Sequence, residues 1–132
     1  NSKINIIGIN DPKMAHEKSV KNSTIINKEL EISNYNKDLF SILLSHRPEL
    51  FRTYVENNID LVLTGHAHGG QIRIPSIGGI VAPNQGLFPK YTSGLFTENN
   101  TNMIISRGIG NSIIPFRINN RPELVVITLK TN

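Results

Sequence analysis

Two short segments hold the residue types that do chemistry: Gly65-His66-Ala67-His68-Gly69-Gly70-Gln71 and, upstream of it, Ser45-His46-Arg47-Pro48-Glu49. Imidazole is a good ligand for Zn, Mn or Fe, and two histidines separated by one residue just past a strand end point to neighbouring positions on one rim. Glycines beside them let the backbone come close to a metal ion or a phosphate oxygen. An H-x-H pair alone is equally compatible with two surface histidines. What adds weight is repetition, because both segments follow the same order: an apolar strand, a small polar residue, then histidine. Arg47, Arg73, Arg107 and Arg117 lie in or near the same regions, and their guanidinium groups suit phosphate oxygens as well as the carboxylates and carbonyls that pin long loops. His16 sits in a polar stretch and reads as part of a solvated loop.

The elements that must position these residues follow from apolar patterning. Ile4 to Ile9 is an Ile-rich run closed by Gly8 and the Asn10-Asp11-Pro12 turn, a buried strand. Ser23 is placed to cap a helix running to about Ile32, with Ile25, Ile26 and Leu30 on one side. Phe40 to Leu44 is a second strand. Pro48 fits the first position of a helix whose apolar face is Leu50, Phe51, Tyr54 and Val55, ended by Asn57 and Asn58. Asp60 to Thr64 is a third strand and runs straight into Gly65 and His66. Strand, helix, strand with His beyond the ends of both strands is a βαβ layout, and the carboxyl edge of such a sheet is where sites are assembled. Beyond Gln71 the chain turns to short strands and Gly/Pro-rich loops, with a hairpin from Tyr91–Phe96 and Met103–Ser106 around a Glu98–Thr101 turn, and a last strand at Leu124 to Leu129. The length of the Asn84 to Tyr91 loop places it at a substrate rim.

Composition bounds the rest. The chain has 132 residues, 38% hydrophobic and 18% charged, with ten Gly and seven Pro, so neither a disordered tail nor a membrane span fits. Without Cys, a metal must be held by His, Asp, Glu or Asn. The formal charge of +4 is spread along the chain without a basic run, which does not mark a nucleic-acid binder. The sequence opens without Met on what reads as a strand, the expectation for a truncated or processed chain.

DLVLTGHAHGGQ and FSILLSHRPELF resemble the last two signature blocks of the calcineurin-like metallophosphoesterases. APNQGLFPKYTSGLF (Ala82 to Phe96) and SRGIGNSIIPFRINNRPELVVITL (Ser106 to Leu129) extend the likeness to a bacterial branch whose members are often membrane-anchored or exported. The resemblance covers nearly the whole chain and implies a fold: residues 1–132 as the C-terminal half of a four-layer α/β/β/α sandwich, with a mixed sheet and few helices. It also implies ligands. His46 and His66 would bind one of two divalent ions and His68 the other, the ions being Mn, Fe or Zn, with Arg47 and Arg107 as candidate contacts to a phosphoester substrate.

The family's earlier blocks, which supply an Asp, a D-x-H pair, a bridging Asp in G-D-x-x-D and the Asn and His of G-N-H-[DE], have no match here. Asp11, in Gly8-Ile9-Asn10-Asp11, resembles a strand end that binds no metal, and Asp38 and Asp60 precede strands. The resemblance therefore implies part of a dinuclear phosphomonoesterase or phosphodiesterase, inactive alone and holding one metal ion or none. Any membrane attachment would lie outside this chain, and half of a sandwich is expected to self-associate through uncovered apolar surface. The competing reading is a non-catalytic module that binds a metal or an anion at the histidine rim.

Overall fold

The computed structural model describes residues 3–15, 19–110 and 116–130; His16 lies outside them. The apolar runs form a five-stranded mixed sheet. Its strands are β1 (Ile4–Gly8), β2 (Phe40–Leu44), β3 (Leu61–Thr64), β8 (Gly94–Glu98) and β9 (Thr101–Ile105), in the order β1-β2-β3-β9-β8. The first four in that order run parallel, and β8 returns antiparallel to β9. The connection between β8 and β9 is the two-residue turn Asn99-Asn100, with Asn99 left-handed at φ 51°, a conformation Asn tolerates.

Register shows where the core sits. Ile7, Leu43, Val62, Met103 and Phe96 are successive partners across the five strands, so they share one face by the two-residue period of a strand. Helices α1 (Asn22–Ser33) and α2 (Phe51–Glu56) supply the rest of the core on that face, through Ile26, Leu30, Phe51, Tyr54 and Val55. Helix α1 starts one residue before the capping position expected of Ser23. Lys21 stands at the N-cap without a side-chain hydrogen bond, and Asn34 closes the helix in a left-handed turn. Pro48 opens a short 3-10 turn, Pro48–Leu50, that leads into α2 as expected.

The opposite face carries a second apolar row. Gly8, Leu44, Leu63, Ile104 and Leu95 are register partners, as are Ile4 and Phe40. Ile6 is 67% exposed and Leu95 64%. The expected strand over Leu124 to Leu129 does not form. That segment runs over β3 and β9 and shares a cleft with Leu63, Thr64 and Ile104, but Leu124 and Val126 remain exposed. An alternating apolar sequence becomes a strand only where a neighbouring edge completes its hydrogen bonds, and none adjoins it among the described residues.

Between β3 and β8 the chain makes two small antiparallel hairpins, β4 (Arg73–Ile74) with β5 (Gly78–Gly79) and β6 (Val81–Ala82) with β7 (Gly86–Leu87). They are stacked on the loop after β3, with Ile80 N–H donating to both Gly70 and Ile72 carbonyls. No helix among the described residues is long and apolar enough to cross a membrane.

Candidate metal centre

The parallel pairing of β2 with β3 brings their carboxyl ends side by side, and the Ser45 N–H donates to the Leu63 carbonyl just past the last paired residues. The two histidines that follow therefore meet: the rings of His46 and His66 have centroids 4.1 Å apart, tilted by 48°. His66 is reached through a left-handed backbone step at φ 62°, and His68 through another at φ 47°. His68 opens the 3-10 turn His68–Gly70 and faces the Arg117 and Gly110 side of the site. The structure thus pairs the rings of His46 and His66.

The loop is held in this shape by close packing. A Cβ on Gly70 would lie 2.4 Å from the Gly79 Cα, and one on Gly69 would lie 2.2 Å from Asn120 Oδ1. Asn120, 2% exposed, donates from Nδ2 to the carbonyls of His68 and Gln71 at 2.6 and 3.1 Å. Arg73 adds a hydrogen bond to the Gly69 carbonyl at 2.8 Å. Sequence reasoning singled out the glycines but not Asn120, which lies 52 positions from His68 and carries no local signal of the contact.

Burial pushes the His66 imidazole down to about 4, helped by the positive charge that His46 and Arg47 place beside it. His68 is lowered too, by burial first and then by Arg117, with the Gly110 backbone pulling the other way. Both rings are therefore neutral near pH 7, the form that binds metal. On the outer side of His66, Asn84 Nδ2 stands 3.0 Å from Nε2. Imidazoles suit the donor chemistry of a divalent cation, and here the rings of His46 and His66 stand side by side. Among the described residues no three His, Cys, Asp or Glu side chains converge on one point.

The Arg47 guanidinium is engaged by carboxylates. The residue is 1% exposed. Its Nε and Nη2 donate to the two oxygens of Asp11 at 2.8 and 2.6 Å, and Nη1 donates to Glu49 at 3.2 Å. Burial by itself would raise the Asp11 carboxyl, but hydrogen bonds from Arg47 and the Lys13 N–H outweigh it and hold the group below its ordinary range. Tyr54, fully buried, donates its single hydroxyl proton to the Arg47 carbonyl at 2.8 Å, so Ser45 Oγ, 2.7 Å away, is the donor to Tyr54. Asp11, Ser45, Arg47, Glu49 and Tyr54 together brace the turn that carries His46. Arg107 keeps its guanidinium on Glu123, with Nη2 at 3.1 Å from Oε1, and its carbonyl accepts from Arg117. Asp60 is at the other end of the sheet, where its carboxylate accepts from the backbone and hydroxyl of Ser41.

No protein-family model matches the chain, and no solved structure matches it. Curated proteins do. YkuE of Bacillus subtilis (strain 168), named an uncharacterized metallophosphoesterase, is 38% identical over 100 residues, which is 76% of this chain and 34% of YkuE. The phosphodiesterase YaeI of Escherichia coli (strain K12) is 34% identical over 88 residues, 67% of this chain and 32% of YaeI. An uncharacterized metallophosphoesterase of Aquifex aeolicus (strain VF5) is 28% identical over 109 residues, 80% of this chain and 39% of that protein. The chain spans about a third of the length of these relatives. It is homologous to the bacterial metallophosphoesterases and resembles one part of them.

Proposed function

We propose that this chain forms the histidine wall of a dinuclear phosphoesterase centre, the C-terminal portion of a metallophosphoesterase domain. His46 and His66 hold one divalent ion and His68 the other, with the ions drawn from Mn, Fe and Zn. The observation that carries this reading is the pairing of the His46 and His66 rings at 4.1 Å on the ends of adjacent parallel strands. The carboxylate and asparagine donors come from the region of the protein outside this chain. That region also brings a second sheet onto the open apolar face, completing a four-layer sandwich.

Divalent ions in such a centre supply Lewis acidity toward water and phosphoryl oxygens. The chain's own contribution is to keep the His66 and His68 imidazoles neutral and to brace the two loops that bear the three histidines. Arg47, whose guanidinium is engaged by Asp11 and Glu49, acts in this reading as a brace for His46. On the His68 side the candidate contacts to a phosphoester are Arg117, whose charge lowers His68, and Arg107, whose guanidinium is paired with Glu123.

The test is hydrolysis of bis-p-nitrophenyl phosphate with added Mn or Zn, by this chain and by a protein that includes the missing family blocks. Turnover is expected from the longer protein, with a loss of roughly 100-fold or more in His46→Ala and His66→Ala, as for removal of a metal ligand. This chain alone is expected to show negligible turnover. Full activity in the longer protein carrying both substitutions overturns the assignment, and robust turnover by the chain alone removes the need for outside carboxylates.

A further inference from the structure

The β6–β7 hairpin ends on a residue that no catalytic motif singles out. Asn84 sits at its tip with a left-handed backbone, φ 61°, and brings its side-chain amide to 3.0 Å from His66 Nε2. The base of the hairpin is anchored to the core. Phe88 N–H donates to the Ile80 carbonyl at 2.7 Å. The Gln85 side chain both donates to the Tyr91 carbonyl and accepts from its N–H, at 2.8 and 3.0 Å. The Tyr91 ring in turn packs edge-on against Phe51 and Phe96, with centroids 5.9 and 5.0 Å apart. The tip position is therefore set by buried packing and not by the hairpin alone.

From this geometry we infer that Asn84 is a positioning residue, which holds the His66 ring through Nε2 and so leaves Nδ1 as the nitrogen offered to a metal ion. The inference rests on the reading of His66 as a ligand. Among the described residues His66 Nδ1 makes no hydrogen bond, whereas Nε2 is engaged. An imidazole has two nitrogens, and the partner of one decides which tautomer the other presents. An amide suits this task because it carries a donor and an acceptor in the same place. With Nδ2 toward the ring it donates to a bare Nε2. After a half-turn about χ2, Oδ1 accepts from Nε2–H, the proton position that frees the Nδ1 lone pair. The left-handed backbone at Asn84 is one that Asn, Asp and Gly tolerate, so the side chain can be changed there without disturbing the turn.

The experiment uses the isotope-labelled chain at about pH 8, above the ordinary histidine range. It reads the His66 ring nitrogens by NMR without metal in the parent chain, Asn84→Gly and Asn84→Asp, and measures Zn affinity by calorimetry in the longer protein that includes the missing family blocks, with the same substitutions and with His66→Ala. Asn84→Asp, an acceptor only, is expected to drive His66 to the Nε2–H tautomer and to keep or raise Zn affinity. Asn84→Gly is expected to leave a mixed tautomer population and to lower Zn affinity about 10-fold or more, the usual effect of removing a partner behind a metal-binding His. Its urea midpoint should stay unchanged, separating positioning from general stability. Identical tautomer populations in all three proteins, or a Zn affinity indifferent to Asn84→Gly, overturns the inference. Tautomers that follow residue 84 while the Zn affinity of the longer protein is unmoved by both Asn84→Gly and His66→Ala support the Asn84 contact and remove the ligand reading of His66, so the two failures are distinguishable.

Discussion

Replacing Arg47 by Met isolates the bracing of the His46 turn from everything else the turn does. Met retains much of the aliphatic stem and removes the guanidinium, with its two hydrogen bonds to Asp11 and one to Glu49. Breaking one side of a buried ion pair costs about 3–5 kcal/mol, because the remaining charge is left without a partner. Here the partners are less buried than Arg47: the Asp11 side chain is 18% exposed and that of Glu49 15%. Water reaches both carboxylates in the variant and screens part of the penalty, which places the expected loss at about 2–3 kcal/mol. Arg47→Lys should recover less than half of it, since one ammonium cannot match both Asp11 oxygens and reach Glu49. Urea unfolding followed by far-UV circular dichroism measures these losses. A double-mutant cycle with Asp11→Asn then isolates the pair, with an expected coupling of about 1–3 kcal/mol. A loss below about 1 kcal/mol for Arg47→Met, with no coupling in the cycle, would refute the bracing role and return Arg47 to the set of side chains available to a ligand.

Two further outcomes follow from the same loops. Because the folded His66 ring titrates near 4 while an unfolded histidine titrates near 6.5, the unfolded chain binds more protons between those values. The stability His66 contributes is therefore complete above about pH 6.5 and declines as pH falls toward 4. Urea midpoints measured across that window should fall more steeply for the parent chain than for His66→Gln, and equal slopes would contradict the burial of a neutral ring. Gly79→Ala would set a Cβ 2.7 Å from the Gly70 Cα and 2.9 Å from the Gly69 carbonyl oxygen. An overpacking loss of roughly 1–3 kcal/mol is expected, accompanied by chemical-shift changes at His66 and His68; a neutral substitution would show that the hairpins do not support the histidine loop.

What could be read from residues alone was the part governed by local patterning. Phe40–Leu44 and Leu61–Thr64 are continuous apolar runs of strand length bounded by polar residues, and Pro48 and Asn58 punctuate the helix between them. Their parallel pairing follows from that order, so the meeting of His46 and His66 was implicit in the spacing. The residues that hold the site were not legible in the same way. Loop length put Asn84 to Tyr91 at the rim but not the Asn84 amide on His66, and Asn120 reaches the loop after β3 only because a distant segment folds back over it; isolated asparagines in Gly/Pro-rich stretches give no periodicity. Arg47, adjacent to a candidate ligand, suggested a phosphate contact, yet its carboxylate partner lies 36 positions earlier. Leu124 to Leu129 has the alternation of a strand, but alternation records which side chains prefer burial and does not supply an edge to pair with.

The left-handed backbones of His66 and His68 carry a consequence of their own. Residues other than glycine held in that region cost about 1–3 kcal/mol each, and here the strain is absorbed by the fold through the Asn120 amide and the contact of Gly70 with Gly79. Both imidazoles are thus set in place before anything binds. A ligand arriving at this rim meets a preorganised surface and loses little affinity to ordering the loop. In the proposed centre, discrimination among metal ions then rests on donor chemistry and fit more than on rearrangement of the loop.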